Sequence, residues 1–110
     1  MRFGNYLKLL REEKGLNQAD LAKSINVSTV YICDIEKSRR NPPSIEKLQI
    51  WVKQLGLSAD ESARLYDLAG KARGSLAPDI LEYLSNNQAA NDAIRRIMGQ
   101  KAEYNWNIIP

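Results

Sequence analysis

A short basic stretch carries the clearest chemistry in the sequence. Lys37, Arg39, Arg40 and Asn41 stand within five residues of one another, interrupted only by Ser38. Lysine and arginine side chains neutralise phosphate groups, and each neutralised phosphate makes binding more dependent on salt. We therefore predict a phosphate-binding loop, for which an ordinary solvated loop is the alternative.

The residues just before this loop carry groups that can contact nucleic-acid bases. Thr29 can hydrogen-bond several base edges, Val30 can pack on a thymine methyl group, and Asp34 can accept a hydrogen bond from cytosine N4. Asp34 has a second interpretation, in which it orients Arg39, because phosphates repel a carboxylate. Ser28 is most simply a helix N-cap, and its hydroxyl is also able to reach a phosphate.

Other residues nearby have a structural interpretation beside a functional one. Gln18 begins a predicted helix, where its amide and the free main-chain N–H groups can bind a phosphate, or it is simply solvated. Tyr31 donates a hydrogen bond to a phosphate or lies buried beneath its helix, and the sequence leaves both open. Cys33 is interpreted as a small packing residue rather than a redox sensor.

The residue types that the sequence lacks exclude several kinds of chemistry. With no histidine and a single cysteine, the chain can form neither an internal disulfide nor the usual thiolate or imidazole metal site. It also lacks Ser–His and Cys–His nucleophile pairs, a phosphate-binding glycine loop and paired catalytic carboxylates. We predict that the protein is not an enzyme and uses no cofactor and no metal.

Five amphipathic helices are predicted in the first 73 residues, and these must position the groups above. They cover residues 3–14, 18–24 and 28–37, then a helix capped by Ser44 that ends at Gly56, and a helix capped by Ser58 and Glu61 that runs toward Gly70 or Gly74. Asn26 falls where the chain must turn sharply and tolerates the left-handed conformation. Pro42 and Pro43 keep the basic loop out of a helix.

Residues 74–110 are predicted to form a helical extension and tail. Pro78 suits the first position of a sixth helix, Asn86 and Asn87 end that helix, and a seventh amphipathic helix covers residues 88–101. The apolar faces of these helices either close the core or form a dimer seam. The tail alternates Tyr104, Trp106 and Ile108, which fits a strand added to a partner sheet or a frayed end.

Composition and charge restrict the partners of the chain. Of its 110 residues, 44% are hydrophobic and 26% are charged, as in a folded globular protein. Residues 1–56 carry ten Lys and Arg against six Asp and Glu, whereas residues 57–110 carry six against seven, which gives +4 and −1. The first part therefore favours a polyanion and the second favours protein contacts. No apolar stretch reaches the roughly 18 residues of a membrane span, and the charged start lacks the apolar region of a signal peptide, so we expect a cytoplasmic location and no membrane partner.

Two short helices joined by a tight turn, with a basic loop after the second, suit the major groove of DNA. The residues that form this arrangement closely resemble the Cro/C1-type helix-turn-helix family, also called the XRE family. The resemblance is carried by the segments at residues 17–22, 26–28, 32–36 and 39–42, followed by Leu48 and residues 55–58. The sequence departs from the family pattern at Asn26 and Ser38, where glycine is usual, and at Cys33, where serine is common.

The resemblance implies an all-α fold, with a five-helix lambda-repressor-like DNA-binding domain in residues 1–73 and additional C-terminal helices in residues 74–110. It also implies that Glu36 is structural and pairs with an arginine inside the domain, for which Arg11 is the candidate. A protein of this family is usually a dimer that regulates promoters with inverted-repeat operators.

We therefore predict a sequence-specific DNA-binding transcriptional regulator, a dimeric repressor that reads double-stranded DNA with the helix at residues 28–37. The alternative is an antitoxin that autoregulates its operon and binds a toxin through its C-terminal part. A purely structural interaction module and a small enzyme are the candidates from other classes, and the missing catalytic groups count against the enzyme.

Overall fold

The computed structural model of the chain describes residues 1–99, which form seven α-helices and, within that range, no strand. The predicted all-α class is confirmed. The helices are α1 (Phe3–Glu13), α2 (Gln18–Ser24), α3 (Thr29–Glu36), α4 (Ile45–Gln54), α5 (Ala59–Arg73), α6 (Pro78–Ser85) and α7 (Gln88–Gly99). None of these helices is long and apolar enough to cross a membrane.

Contacts divide the chain into two compact units, Met1–Asp79 and Ile80–Pro110. The first unit contains α1 to α5, in which α1 packs on α3 and α5, and α2 packs on α3 and α4. The five helices predicted in the first 73 residues are thus present. The predicted division into domains at residue 73 stays a prediction.

The core of the first unit is built from apolar residues that recur three or four positions apart on its helices. Its largest fully buried side chains are Leu7, Leu10, Leu21, Ile32, Ile35, Leu48, Trp51 and Leu65. Trp51 donates a buried hydrogen bond from its indole N–H to the Leu21 carbonyl at 3.2 Å, so its polar atom is satisfied. Burying each large apolar side chain stabilises the fold by about 1.5–3 kcal/mol, and α3 contributes two of them.

Side-chain caps fix where three helices of the first unit begin. Asn17 and Asp20 form a reciprocal capping box on α2, and Ser58 and Glu61 form another on α5. The N–H of Ser58 donates to the Glu61 carboxylate at 2.9 Å, and this hydrogen bond is the main reason that the pKa of Glu61 is lowered. The Ser28 hydroxyl accepts the N–H of Tyr31 at 3.1 Å and caps α3, as predicted.

The prediction for Ser44 is wrong in one respect. Ser44 does occupy the N-cap position of α4, but its hydroxyl accepts no capping hydrogen bond. Its main-chain carbonyl still accepts the N–H of Leu48 at 3.0 Å. This helix therefore begins after Ser44 without a capping hydrogen bond from the serine side chain.

The two turns beside α3 use left-handed backbone. Asn26 has φ of 57° and Ser38 has φ of 60°, and they are the positive-φ residues other than glycine in the described range. Both stand where the resembling family has glycine, so the turn geometry is kept with residues that tolerate it less well. The prediction of a left-handed Asn26 is confirmed.

Gly4 allows α1 to approach the end of α3 closely. A Cβ atom at this position would lie 2.3 Å from the carbonyl oxygen of Ile35 and 2.6 Å from that of Glu36. These separations are well below van der Waals contact, so any side chain would push the helices apart. The close approach sets the position of α3 in the domain.

The second unit contains α7 and α6 from Ile80 onward, the two helices predicted after residue 74. Pro78 begins α6, and the Asn87 side chain accepts the N–H of Ala90 at 3.1 Å at the start of α7. Neither helix has a buried residue, and several of their large apolar side chains are exposed: Ile80, Leu81, Tyr83, Ile94 and Met98. The predicted end of α7 at Lys101 and the tail with Tyr104, Trp106 and Ile108, on which toxin binding would depend, lie outside the described residues.

Candidate nucleic-acid interface

The buried residues of α3 show which face of this helix packs in the core and which face is exposed. Ile32 and Ile35 are 0% and 1% exposed and pack in the core beside α2. Val30 lies on the opposite side at the first turn and is 67% exposed, and Thr29 beside it is also exposed. A β-branched apolar side chain exposed to this extent makes no contribution to the core, which leaves it available to a ligand.

Asp34 lies half-buried one turn further along α3. Its main-chain carbonyl accepts the N–H of Arg39 at 2.8 Å, which anchors the start of the loop. Within the described residues the Asp34 carboxylate makes no ion pair with Arg39. The hypothesis that this side chain orients Arg39 therefore gains no support, and its base-reading role stays a prediction.

Tyr31 combines parts of the two roles that the sequence left open. Its side chain is half-buried and packs against the core, while the Arg40 guanidinium lies 4.7 Å from its ring centroid. A guanidinium over an aromatic face is attracted by the ring quadrupole. Tyr31 thus holds Arg40 near the start of α3, an interaction that the sequence did not indicate.

Glu36 is the one buried charged residue among those described, and it joins three elements. Arg11 on α1 donates to both of its carboxylate oxygens, from Nε at 2.8 Å and from Nη2 at 3.0 Å. Arg11 also donates from Nη1 to the Leu16 carbonyl at 3.1 Å. The hydrogen bond to Glu36 is the main reason that the pKa of Arg11 is raised. The predicted structural pair of Glu36 and Arg11 is confirmed.

Gln18, the first residue of α2, belongs to the same network. Its side-chain nitrogen donates to Oε1 of Glu36 at 3.0 Å. A carboxamide has two N–H groups and a carbonyl oxygen, so one bond to Glu36 leaves further hydrogen-bonding capacity for a phosphate. The bond also fixes the direction of the side chain, which sequence reasoning missed because the partners are 18 residues apart.

The basic loop lies on the surface beside the start of α3. Lys37, Arg39, Arg40 and Asn41 are all exposed, while the prolines that follow, residues 42 and 43, are buried. The Pro42 carbonyl also accepts a hydrogen bond from the Arg73 guanidinium. The loop is thus held at its base and presents its cationic side chains to solvent.

The described residues contain no cluster of metal-ligating side chains. No group of three or more Cys, Asp or Glu residues in this range could hold a metal ion. Cys33 is a free, half-buried thiol on α3. The sites that the structure does bring together are the exposed start of α3, Gln18 at the start of α2, and the basic loop.

Two short helices joined at a left-handed Asn26, with an exposed second helix and a basic loop after it, define the helix-turn-helix class of DNA-binding domains. Family comparison agrees with this geometry, because the model described as "Helix-turn-helix" matches residues 7–62. The chain belongs to this family, in its Cro/C1-type or XRE branch.

Three curated relatives illustrate the similarity. The chain is 31% identical over 102 residues to the HTH-type transcriptional regulator DdrOP3 of Deinococcus deserti, a match that covers 88% of the chain and 78% of that protein. It is 39% identical over 57 residues to the immunity repressor protein of Bacillus phage phi105, covering 52% of the chain and 39% of the repressor. It is 37% identical over 67 residues to the HTH-type transcriptional regulator PrpR of Mycobacterium tuberculosis, covering 56% of the chain and 14% of that protein. No solved structure matches the chain.

Proposed function

We propose that the protein is a dimeric transcriptional repressor that reads an inverted-repeat operator by placing α3 in the major groove of each half-site. The observation that carries the proposal is the exposure of Val30, 67%, at the start of a helix whose opposite face is completely buried. A helix presented in this way can enter the major groove with its N-terminal residues against the base edges. The names of two relatives, a transcriptional regulator and an immunity repressor, support the regulatory role.

Sequence choice depends on the exposed start of α3 in this proposal. Thr29 hydrogen-bonds a base edge and Val30 packs on a thymine methyl group, whereas Asp34 accepts a hydrogen bond from cytosine N4. Asp34 is half-buried, so it reaches only a base that approaches the middle of the helix. Thr29 and Val30 are therefore the principal readers.

Affinity depends on interactions with the DNA backbone. Lys37, Arg39 and Arg40 are exposed, and none of them forms an ion pair with another described residue. Phosphates can therefore take up these charges without first breaking an internal pair. The remaining interactions are hydrogen bonds, made by Gln18, Ser28, Tyr31 and Asn41.

A second copy of the chain completes the operator complex. A single small domain touches too few bases for typical operator affinity, so proteins of this class double the interface by symmetry. The apolar side chains exposed on α6 and α7 supply a surface that a second copy can cover. In this proposal residues 74–110 form the dimerisation part, and the protein works where the DNA is, in the cytoplasm.

The sequence-reading role is tested by selecting bound sites from random double-stranded DNA. We expect the wild-type chain to enrich an inverted repeat. The Val30→Ala variant should enrich sites in which the preference for thymine is weakened at one position of each half, because the smaller alanine side chain makes less apolar contact with the methyl group than valine does. Ile50→Ala is the matched control, since Ile50 is an apolar residue exposed on α4, 43%, outside the candidate interface. Failure of the wild type to enrich any inverted repeat would refute the proposal.

The phosphate-binding role is tested by salt dependence. The double variant Arg39→Ala/Arg40→Ala should bind every sequence more weakly, and the slope of log K against log salt should flatten by about 1.8, or about 0.9 for each phosphate that is no longer neutralised. Lys8→Ala/Lys53→Ala is the matched control, because it removes two exposed cations from α1 and α4, outside both the candidate interface and the proposed dimerisation part. An unchanged slope in the loop variant would exclude the loop from phosphate binding.

A further inference from the structure

A cavity of about 490 Å³ opens beside the basic loop, within the first unit. Its walls are the start of α1, the end of α3 with the loop after it, and the last turns of α5. The volume lies in the range of small-molecule sites, about 300–1,000 Å³. The candidate DNA-reading residues Thr29 and Val30 are not among the residues that line it.

The rim of this cavity is positively charged. Arg2, Arg40 and Lys71 come from three different elements, and all three are exposed. Among the described residues that line the cavity there is no Asp or Glu, and none of the three cations forms an ion pair within the described range. Three cationic residues that line one cavity without a counter-charge among the other lining residues favour an anion there.

The floor of the cavity is apolar. Phe3, Ile35 and Pro42 are buried there, and Leu68 is half-buried. Gly4 also lines the cavity, and the close packing of its backbone on the end of α3 leaves no room for a side chain. A bare inorganic ion would leave this apolar surface uncovered, whereas a ligand with an apolar ring and an anionic group would match both parts.

We propose that the cavity binds a small organic phosphate, with its apolar body on the Phe3 and Leu68 floor and its phosphate among Arg2, Arg40 and Lys71. Arg40 also belongs to the proposed DNA-backbone interface, so an occupied cavity withdraws one cation from DNA and weakens operator binding. This regulatory part rests on the proposed function. The binding of the ligand itself does not.

Ligand binding is tested on the full chain without DNA, with phenyl phosphate as the probe. Amide NMR signals of Gly4 and Lys71 are followed during titrations with phenyl phosphate, inorganic phosphate and phenol. We expect phenyl phosphate to bind at least about tenfold more tightly than either fragment, because it satisfies the charged rim and the apolar floor together. Lys71→Gln should weaken this binding, whereas Lys8→Gln, which removes an exposed lysine of α1 outside the cavity, should not.

Equal binding of phenyl phosphate and phenol, or unchanged binding in Lys71→Gln, overturns the proposal. A second measurement tests whether the cavity binds a phosphate of the DNA backbone and not a free small molecule. If phenyl phosphate does not bind but Lys71→Gln flattens the salt slope of DNA binding, the cavity belongs to the DNA-backbone interface and the effector proposal is wrong.

The regulatory part is tested by competition at a selected operator. Phenyl phosphate should lower operator affinity in the wild type and have less effect in Lys71→Gln. Ligand binding without any effect on DNA overturns the regulatory part. A chain that binds the probe but selects no operator contradicts the proposed function instead, so the two failures are distinct.

Discussion

The Arg11–Glu36 pair allows the sharpest test of what holds the domain together. The Arg11→Met variant keeps most of the apolar stem of the side chain but removes the guanidinium. The side chain of Glu36 is only 3% exposed, so water cannot readily replace a lost partner. In the variant its carboxylate keeps the hydrogen bond from Gln18 and loses both hydrogen bonds from Arg11. We expect a large loss of stability, because a buried charge is left without its counter-charge.

The magnitude follows from the geometry. Removing one partner of a buried ion pair costs about 3–5 kcal/mol. The side chain of Arg11 is 12% exposed and Gln18 remains bonded to Glu36, so water and the amide offset part of the loss. We therefore expect the lower end, a loss of about 3 kcal/mol, which corresponds to a fall in Tm of about 15 °C for a unit of this size.

The measurement is urea unfolding followed by circular dichroism, for Arg11→Met and for the double variant Arg11→Met/Glu36→Leu. The double variant removes the stranded charge, so it should recover at least about 1 kcal/mol relative to the single variant. The reasoning is wrong if the double variant is less stable than Arg11→Met. That result would mean that packing of the glutamate stem, and not its charge, dominates.

Four further predictions concern a helix cap, a turn and close packing. Ser58→Ala should lower the free energy of unfolding by about 1 kcal/mol through loss of the cap. The pKa of Glu61 is lowered in the folded state, so its carboxylate stabilises the fold above its ordinary pKa of 4.5, and this stabilisation is lost as the pH falls through the lowered pKa. Glu61→Gln should therefore flatten the acid limb of a curve of stability against pH. Ser38→Gly should stabilise the domain by about 1 kcal/mol by relieving a left-handed serine, whereas Gly4→Ala should destabilise it by at least about 2 kcal/mol.

The Ser58 and Ser38 variants have matched controls in thermal or urea unfolding. Ser44→Ala should change stability much less than Ser58→Ala, because the Ser44 hydroxyl makes no cap bond. Ser38→Ala should not stabilise, since alanine is no better than serine at φ of 60°. A Gly4→Ala variant as stable as the wild type would contradict the close approach of α1 to α3.

Local features of the fold were predictable because they depend on neighbouring residues. The Ser58–Glu61 box, the Ser28 cap and the left-handed Asn26 each involve partners within a few positions, and the structure confirms all three. The helix bounds agree to within about two residues, with α5 ending beside Gly74, the second of its two predicted ends. The predicted end of α7 lies outside the described range.

Interactions between residues far apart in the sequence were harder to predict. The Glu36–Arg11 pair was found through family resemblance, but the bond from Gln18 to Glu36 and the packing of Arg40 on Tyr31 were not. These interactions depend on how α1, α2 and α3 pack, and periodicity gives the buried face of a helix without its neighbours. The cavity beside Arg2 and Lys71 was missed for the same reason, since its walls come from three separate parts of the chain.

The exposure of Val30 also bears on how such a protein can evolve a new target-site preference. Because the side chain contributes nothing to the core, nearly any residue can replace it without cost to folding. Under the proposed function, preference for a new target site can therefore arise by single substitutions at the start of α3, whereas the closely packed Glu36 and Gly4 tolerate few changes. A designer who wishes to redirect the protein has a small set of positions that can be randomised freely on a scaffold that stays fixed.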